Sequence, residues 1–285
     1  MAPYTTFRIG GKAQYWYEPK NKKELMQFLR CSSPAFPLFI IGAGSNLLIR
    51  EGVLKKIFIY LGAPAFRKFH VSGTKVTVGA GLRLNHLISN LSSKNLSGYE
   101  FLAGIPGTVG GALAMNAGAK RDAGKNSSYR EIGDIVSWVE VLDREGNCER
   151  LSKKNIRFLY RNSSLKSVLI LKAQFVLVKS DKRLVQNRIQ RLMEERMLKQ
   201  DGRYPSAGSF FKNPKRNLAA GRLIDLCHLK GFAVGGAMVS DKHANFILNV
   251  DQARSSEVVR LMEIIQKKVY NLFKIKLIPE VQIVS

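Results

Sequence analysis

The chain has 285 residues, 45% hydrophobic and 24% charged, with a mean hydropathy near neutral, which excludes a disordered or fibrous protein. At this length about three quarters of the unfolded surface can be buried, in one large domain or two of ordinary size. Lysine and arginine exceed aspartate and glutamate by 25. The excess is spread along the first 230 residues rather than gathered in a tail, so the whole molecule should attract polyanions: phosphorylated ligands, nucleic acid or acidic membrane surfaces. Cys31, Cys148 and Cys227 form no close-spaced metal or redox pair, and no apolar run has signal-peptide or membrane-spanning length. These features predict a cytoplasmic protein with reduced thiols, no metal and no membrane span.

Along the chain, FPLFII (36–41) and IFIYL (57–61) read as short buried strands, and TKVTVG (74–79) alternates as a half-buried one. Leu84, Leu87, Ile88 and Leu91 recur at helical spacing. IVSWVEVL (135–142) predicts a strand turning through DREGN into CERL, and VLILKAQFVLV (168–178) completes the sheet. FLYRNSS (158–164) places Tyr160 and Arg161 at the end of a short helix. Val185, Ile189, Leu192, Met193 and Met197 form a helical stripe on a charged segment ending at Gly202 and Pro205. Beyond it the pattern predicts a helix near 216–230, strands near 234–239 and 245–249, a long amphipathic helix through Val258, Leu261, Met262, Ile265, Val269 and Leu272, and a final strand at 280–284. No internal repeat or low-complexity tract appears.

Three segments carry chemistry. In IIGAGSNLLI (40–49), glycines let the main chain turn sharply and aim N–H groups at an anion, with Ser45 and Asn46 as side-chain donors. A plain hairpin turn is the competing reading. A dinucleotide fingerprint is excluded, because Leu47 holds the third glycine position and the chain continues as strand. The second segment, GYEFLAGIPGTVGGALAMNAGA (98–119), is denser in glycine and alanine than a packed helix needs. Either a large ligand lies along the backbone, or helix and sheet pack closely. In SAGSFFKNP (206–214), Ser209 sits in a flexible turn flanked by aromatics; a serine hydroxyl acts as an acid only beside a strong base. No hydrolase elbow surrounds it, and His70, His86, His228 and His243 suggest no triad.

Taken together, TTFRIGG (5–11), GAGSNLL (42–48), GIPGTVGGALAMNAGA (104–119), YRNS (160–163), GSFFKNP (208–214), AGRLID (220–225), SDKHANFILN (240–249) and PEV (279–281) run in an order that resembles the UDP-N-acetylenolpyruvoylglucosamine reductase family. The resemblance implies an α+β flavoprotein: an FAD-binding fold of the vanillyl-alcohol oxidase type in two subdomains, 1–66 and 67–180, and a substrate-binding α+β domain over 181–285. It implies reduction of UDP-N-acetylglucosamine enolpyruvate to UDP-N-acetylmuramate for peptidoglycan, with NADPH as electron donor and the protein acting as a monomer without nucleic acid or an obligate protein partner. Position by position, it makes Ser209 the proton donor, with Arg161 and Glu280 as its catalytic companions. It assigns FAD to Gly42, Ala43, Gly44, Ser45, Asn46, Leu47, Gly104, Ile105, Pro106, Gly107, Thr108, Gly110, Gly111, Ala114, Asn116 and Gly118, and substrate to Tyr160, Lys212 and Asn213. The chain resembles the shorter class, which lacks the tyrosine-loop insertion. It departs from the family pattern in a longer, basic stretch over 119–134, expected to be flexible, and in Met238 where glutamine is common.

In that chemistry Arg161 stabilises charge developing on the substrate carboxylate, Glu280 acts in its protonated form, and Ser209 protonates the adjacent carbon. Two other readings stand beside it. One is an FAD-linked oxidoreductase of the same fold acting on an alcohol or sugar. The other is a basic nucleic-acid-binding module, against which stands the lack of aromatics interleaved with cations.

Overall fold

The computed structural model describes residues 1–32, 36–120, 128–215 and 217–285. Much of the basic stretch expected to be flexible, residues 121–127, lies outside them. By internal contacts the chain divides into two compact units. The terminal unit takes both ends of the sequence, residues 1–14, 44–55 and 197–285; the middle unit takes 15–43 and 56–196. No helix among the described residues is long and apolar enough to cross a membrane.

The middle unit is built on a five-stranded sheet in the order Cys148–Ser152, Val136–Leu142, Leu169–Val176, Lys75–Gly79, Phe69–Ser72, with every adjacent pair antiparallel. Alternation along these strands turns Val76, Val78, Val139, Val141, Ala173 and Phe175 inward, all nearly fully buried. The helix Leu84–Leu91 buries the four apolar residues that its spacing predicts. They join the strands in one core with Leu25 and Leu29 of the helix Lys22–Cys31 and with Phe101, Leu102, Val109 and Leu113 of the glycine-rich segment. Each such side chain contributes about 1.5–3 kcal/mol on leaving water. Leu38–Ile41 and Val53–Tyr60 run parallel, so the chain leaving Ile41 enters the first glycine cluster at the carboxyl end of a parallel strand.

The terminal unit has its own core. The helix Ser255–Phe273 lays Val258, Leu261, Met262, Ile265 and Val269 against Ile247, Val239, Leu223 and Ile224, and the N-terminal Phe7 and Ile9 complete the cluster. Glu257 starts this helix by accepting from the N–H groups of Arg254 and Gly236, at 2.9 and 3.1 Å, and Lys274 ends it in the left-handed region at φ 57°. Beside it lies a four-stranded sheet, ordered Ser206–Ser209, Phe246–Asn249, Ala237–Val239, Ala233–Val234. A second, parallel pairing joins Gln282–Val284 to Leu47–Ile49.

Some expectations change. Tyr160 and Arg161 do not end a helix. They form the two-residue turn between Phe158–Leu159 and Asn162–Ser163, a pair of antiparallel strands. The helix predicted near 216–230 is only Ala220–Leu226. Met193 and Met197, placed on the buried stripe of the helix Lys182–Lys199, are 45% and 72% exposed.

Candidate functional site

Ser209 closes the strand Ser206–Ser209, opposite Phe246. Gly208, at φ 75°, bends the chain just before it. The two residues after Ser209 are rigidly held, because Phe210 and Phe211 are each 1% exposed and anchor the segment in the terminal core. Asn245 grips it twice: its carboxamide oxygen accepts from Phe211 N–H at 2.9 Å and its amide donates to Phe211 C=O at 2.8 Å. The opposite edge of the same segment receives the C-terminal stretch. Glu280 N–H donates to Phe210 C=O at 2.8 Å, and Lys212 N–H to Ile278 C=O at 2.9 Å. Ser209 and Glu280, far apart in sequence, are thus brought into one patch of the terminal unit, both half-buried.

Asn46 joins them. Its side-chain amide donates to Glu280 C=O at 3.0 Å, and its own carbonyl accepts from Gln282 N–H at 2.9 Å. Gly44 precedes it at φ 62°, and a Cβ there would lie 2.1 Å from the Tyr4 carbonyl oxygen, so glycine is demanded by the protein's own packing. Ser45 and Leu47 are half-buried. Lys212 is also half-buried, whereas Asn213 is exposed and its side chain accepts from Ala220 N–H at 3.0 Å, tying the loop to the start of a helix.

The middle unit carries Arg161, at φ 55° in its tight turn. One guanidinium nitrogen donates to Gly118 C=O at 3.0 Å, and the Tyr129 hydroxyl donates to the same oxygen at 2.6 Å. The Arg161 Cζ lies 5.6 Å from the Tyr160 ring centre and 6.0 Å from that of Tyr129. Asn116, fully buried, holds the turn. Its amide donates to Leu159 C=O at 3.1 Å and to the Glu131 carboxylate at 2.6 Å, while its oxygen accepts from Gly133 N–H at 3.1 Å. Burial raises the Glu131 carboxyl above its ordinary value, with Asp134 adding to the rise; the Asn116 hydrogen bond and the Arg161 charge oppose it.

The glycine-rich segment of this unit has two faces. Thr108, Asn116, Ala117 and Gly118 point inward, whereas Gly104, Ile105, Pro106, Gly107, Gly110, Gly111 and Ala114 are exposed or half-buried. Gly42 meets this segment, since a Cβ there would stand 2.5 Å from Thr108 Oγ1. The two glycine-rich turns therefore converge, with Gly42 and Ala43 half-buried and small residues along the accessible face. That fits a cofactor lying along main chain with no side chain in its way. The inward members serve as supports: Thr108 Oγ1 accepts from Gly111 N–H at 3.3 Å, and the Asn116 amide is spent on the Arg161 turn.

Sequence reasoning missed Tyr129 and Glu131, which brace the Arg161 turn. Tyr129 and Glu131 lie inside the basic stretch over 119–134, where the chain departs from the family pattern.

Comparison with known proteins is consistent over the whole length. Residues 13–152 match the FAD binding domain model, and residues 200–284 match the model described as UDP-N-acetylenolpyruvoylglucosamine reductase, C-terminal domain. A UDP-N-acetylenolpyruvoylglucosamine reductase of Caldanaerobacter subterraneus is 38% identical over all of this chain and 92% of its own length. One from a Synechococcus species is 38% identical over all of this chain and 89% of its own. The crystal structure of the reductase from Thermus caldophilus superimposes with a TM-score of 0.84 at 32% identity, covering 100% of this chain and 97% of that one.

Proposed function

The chain belongs to the UDP-N-acetylenolpyruvoylglucosamine reductase family, and on that premise we propose that Ser209 is its proton donor, Arg161 and Glu280 its charge-stabilising partners, and NADPH its electron donor. The protein is an FAD-dependent enzyme that reduces UDP-N-acetylenolpyruvoylglucosamine in peptidoglycan synthesis. Within it we assign residues 1–66 and 67–180 to the flavin and 181–285 to the substrate, in a monomer working in the cytoplasm.

The observation that supports the residue assignment is the hydrogen bond from Glu280 N–H to Phe210 C=O, which joins the segments that carry Ser209 and Glu280. The residues that would hold FAD are Gly42 to Leu47 and the accessible face of 104–118. Bound there, FAD supplies the hydride. The protein supplies the rest of the reaction. Arg161, its planar fork steadied by Gly118, meets the negative charge that builds on the substrate carboxylate as its double bond is reduced. Glu280 serves protonated, since an ionised carboxylate would oppose that charge. Ser209 then gives its proton to the carbon beside it, a transfer that a hydroxyl can make because a carbanionic centre is a far stronger base than water. Tyr160, Lys212 and Asn213 are assigned to the surroundings of the nucleotide, and the net positive field speeds capture of all three phosphorylated ligands.

The test takes the FAD-loaded protein, followed by its visible spectrum in stopped flow. NADPH oxidation should depend on the enolpyruvyl nucleotide. Ser209→Ala should leave flavin reduction intact and slow reoxidation by substrate about 100- to 10,000-fold. Equal slowing of both halves would defeat the assignment of Ser209; NADPH turnover indifferent to the sugar nucleotide would defeat that of the donor reaction.

A further inference from the structure

Within the middle unit, the helix Lys22–Cys31 packs on the hairpin formed by Val136–Leu142 and Cys148–Ser152. A Cβ at Gly146, in the hairpin turn, would stand 2.8 Å from the Met26 carbonyl oxygen and 3.3 Å from Arg30 Cγ, so the turn sits directly on the helix. That packing brings the first residue of the helix to the first residue of the edge strand. Lys22 Nζ donates to Cys148 Sγ at 2.9 Å and to Glu140 Oε1 at 3.0 Å. Glu140 is itself anchored: it is buried, stands opposite Arg150 and Lys172 in the sheet, and lies 3.2 Å from Lys172 Nζ. It thereby holds the lysine nitrogen against the sulfur. Three cations thus surround one carboxylate, and Cys148 is exposed beside them, so a small oxidant reaches its sulfur in an electropositive setting. The other two cysteines differ. Cys31 is exposed too, yet among the described residues no amine bonds its thiol. Cys227 is half-buried, and burial pushes its thiol up against the opposing charge of Lys268. The flavin chemistry proposed above uses neither Lys22 nor Cys148.

We propose that Lys22 and Cys148 are a redox-sensitive pair, which peroxide joins into a reversible covalent link between sulfur and nitrogen. In the first step the Cys148 sulfur attacks peroxide. A sulfur–oxygen bond forms and the oxygen–oxygen bond breaks, so that the thiol is oxidised to sulfenic acid and the peroxide is reduced to water. In the second step the Lys22 nitrogen attacks that sulfur, a sulfur–nitrogen bond forms, and the sulfenic hydroxyl leaves as water. Lys22 enters as an ammonium, so one proton is left over; Glu140, which already accepts from Nζ, passes it to solvent. Sulfenic acids condense with main-chain nitrogen in the same way, and here a side-chain nitrogen already touches the sulfur. A thiol reductant reverses the link by attacking the sulfur: the amine leaves, a mixed disulfide forms, and a second thiol frees Cys148.

The experiment treats the FAD-loaded protein with hydrogen peroxide, digests it without reductant and maps the peptides by mass spectrometry. A parallel sample is quenched with dimedone, which labels any free sulfenic acid. In wild type the peptides holding Lys22 and Cys148 should travel as one species, with the mass of the two together less two hydrogens, and dithiothreitol should separate them. Lys22→Arg keeps a cation beside Glu140 but not the amine. It should lose the linked species and leave Cys148 open to dimedone. Cys148→Ser should lose both the link and the label at that position. A wild-type protein in which Cys148 takes the label or runs on to the sulfinic acid, with Lys22 still free, overturns the proposal. So does a linked species that survives Lys22→Arg, or peroxide treatment that oxidises Cys31 and leaves Cys148 reduced.

Discussion

Two buried asparagines hold the two sets of candidate site residues, and they do so with different chemistry. In the terminal unit Asn245 clamps the N–H and C=O of Phe211, both neutral main-chain groups, and so fixes the strand that carries Ser209 and receives Glu280. In the middle unit Asn116 also grips main chain, at Leu159 and Gly133, but spends one amide hydrogen on the carboxylate of Glu131. The side chain of the first clamp touches no titratable group. The second ties the Arg161 turn to a half-buried acid, so the cation's position depends on a group whose ionisation is disfavoured by partial burial. Equal burial of two amides thus yields one support indifferent to pH and one sensitive to it.

The largest expected effect comes from breaking the charged clamp. Asn116→Ala removes partners from two main-chain groups and a carboxylate at once, and should cost about 4 kcal/mol. Trp16 and Trp138, the two tryptophans of the chain, both lie in the middle unit, so their fluorescence reports this loss directly. Asn245→Ala strands two neutral groups and should cost about 2–3 kcal/mol. Peptide-level hydrogen exchange should confine that loss to residues 197–285. Equal costs for the two variants would break the distinction between a neutral and a charged clamp.

The same contrast decides how much of the molecule is legible in sequence. Elements whose order is written in apolar periodicity are readable: the helix Leu84–Leu91, the helix Ser255–Phe273 and the strands Val136–Leu142 and Leu169–Val176. The strand Lys12–Tyr17 and the helix Lys22–Cys31 escape that reading. Yet the helix has a start signal in Asn21, whose side chain accepts from Glu24 N–H at 3.1 Å. The turn at Tyr160 and Arg161 is hidden because it lacks glycine, asparagine or proline at its two central positions, while Arg161 takes a left-handed conformation uncommon for its type. The pairing of Phe210 with Glu280 leaves no local trace at all, since main-chain hydrogen bonds between distant segments carry no residue signature. Motif resemblance supplies Ser209, Arg161 and Glu280. The supports Glu131 and Tyr129 emerge only once the chain is folded.

A smaller effect sharpens the comparison from the other side. The middle unit also contains polar atoms that gain nothing from their burial: Tyr99 Oη and Ser152 Oγ have no hydrogen-bond partner among the described residues. Tyr99 is fully buried, and burial, with the nearby Glu100 charge, raises its phenol well above the ordinary value, so it stays neutral. Tyr99→Phe keeps the ring in its packing and removes the stranded hydroxyl, and should raise stability by about 1 kcal/mol, read as a higher melting temperature. A fall of that size would mean the hydroxyl has a bonded partner in solution.

The smallest effect comes from pH. Because the folded protein raises the Glu131 carboxyl, the folded state takes up this proton more readily than the unfolded chain does. Glu131 therefore weakens the fold while ionised, above its folded value, and the penalty is relieved as pH falls toward the ordinary glutamate range. Glu140 has the opposite sign. Burial pushes it up, but hydrogen bonds from Lys22 and Lys172 outweigh that and hold it low, so its contribution is present at neutral pH and lost on acidification. Glu131→Gln isolates the first term, since the amide keeps an oxygen for the Asn116 amide and carries no charge. The variant should melt above wild type at pH 7, with the gap closing toward pH 4, whereas a pH-independent gap would show that the carboxylate acts there as a hydrogen-bond acceptor and not as a charge. The same comparison repeated on Asn245→Ala should give a stability loss that does not vary between those two pH values, because the side chain removed touches only main-chain groups and alanine keeps the N–H that donates to His243 Nδ1.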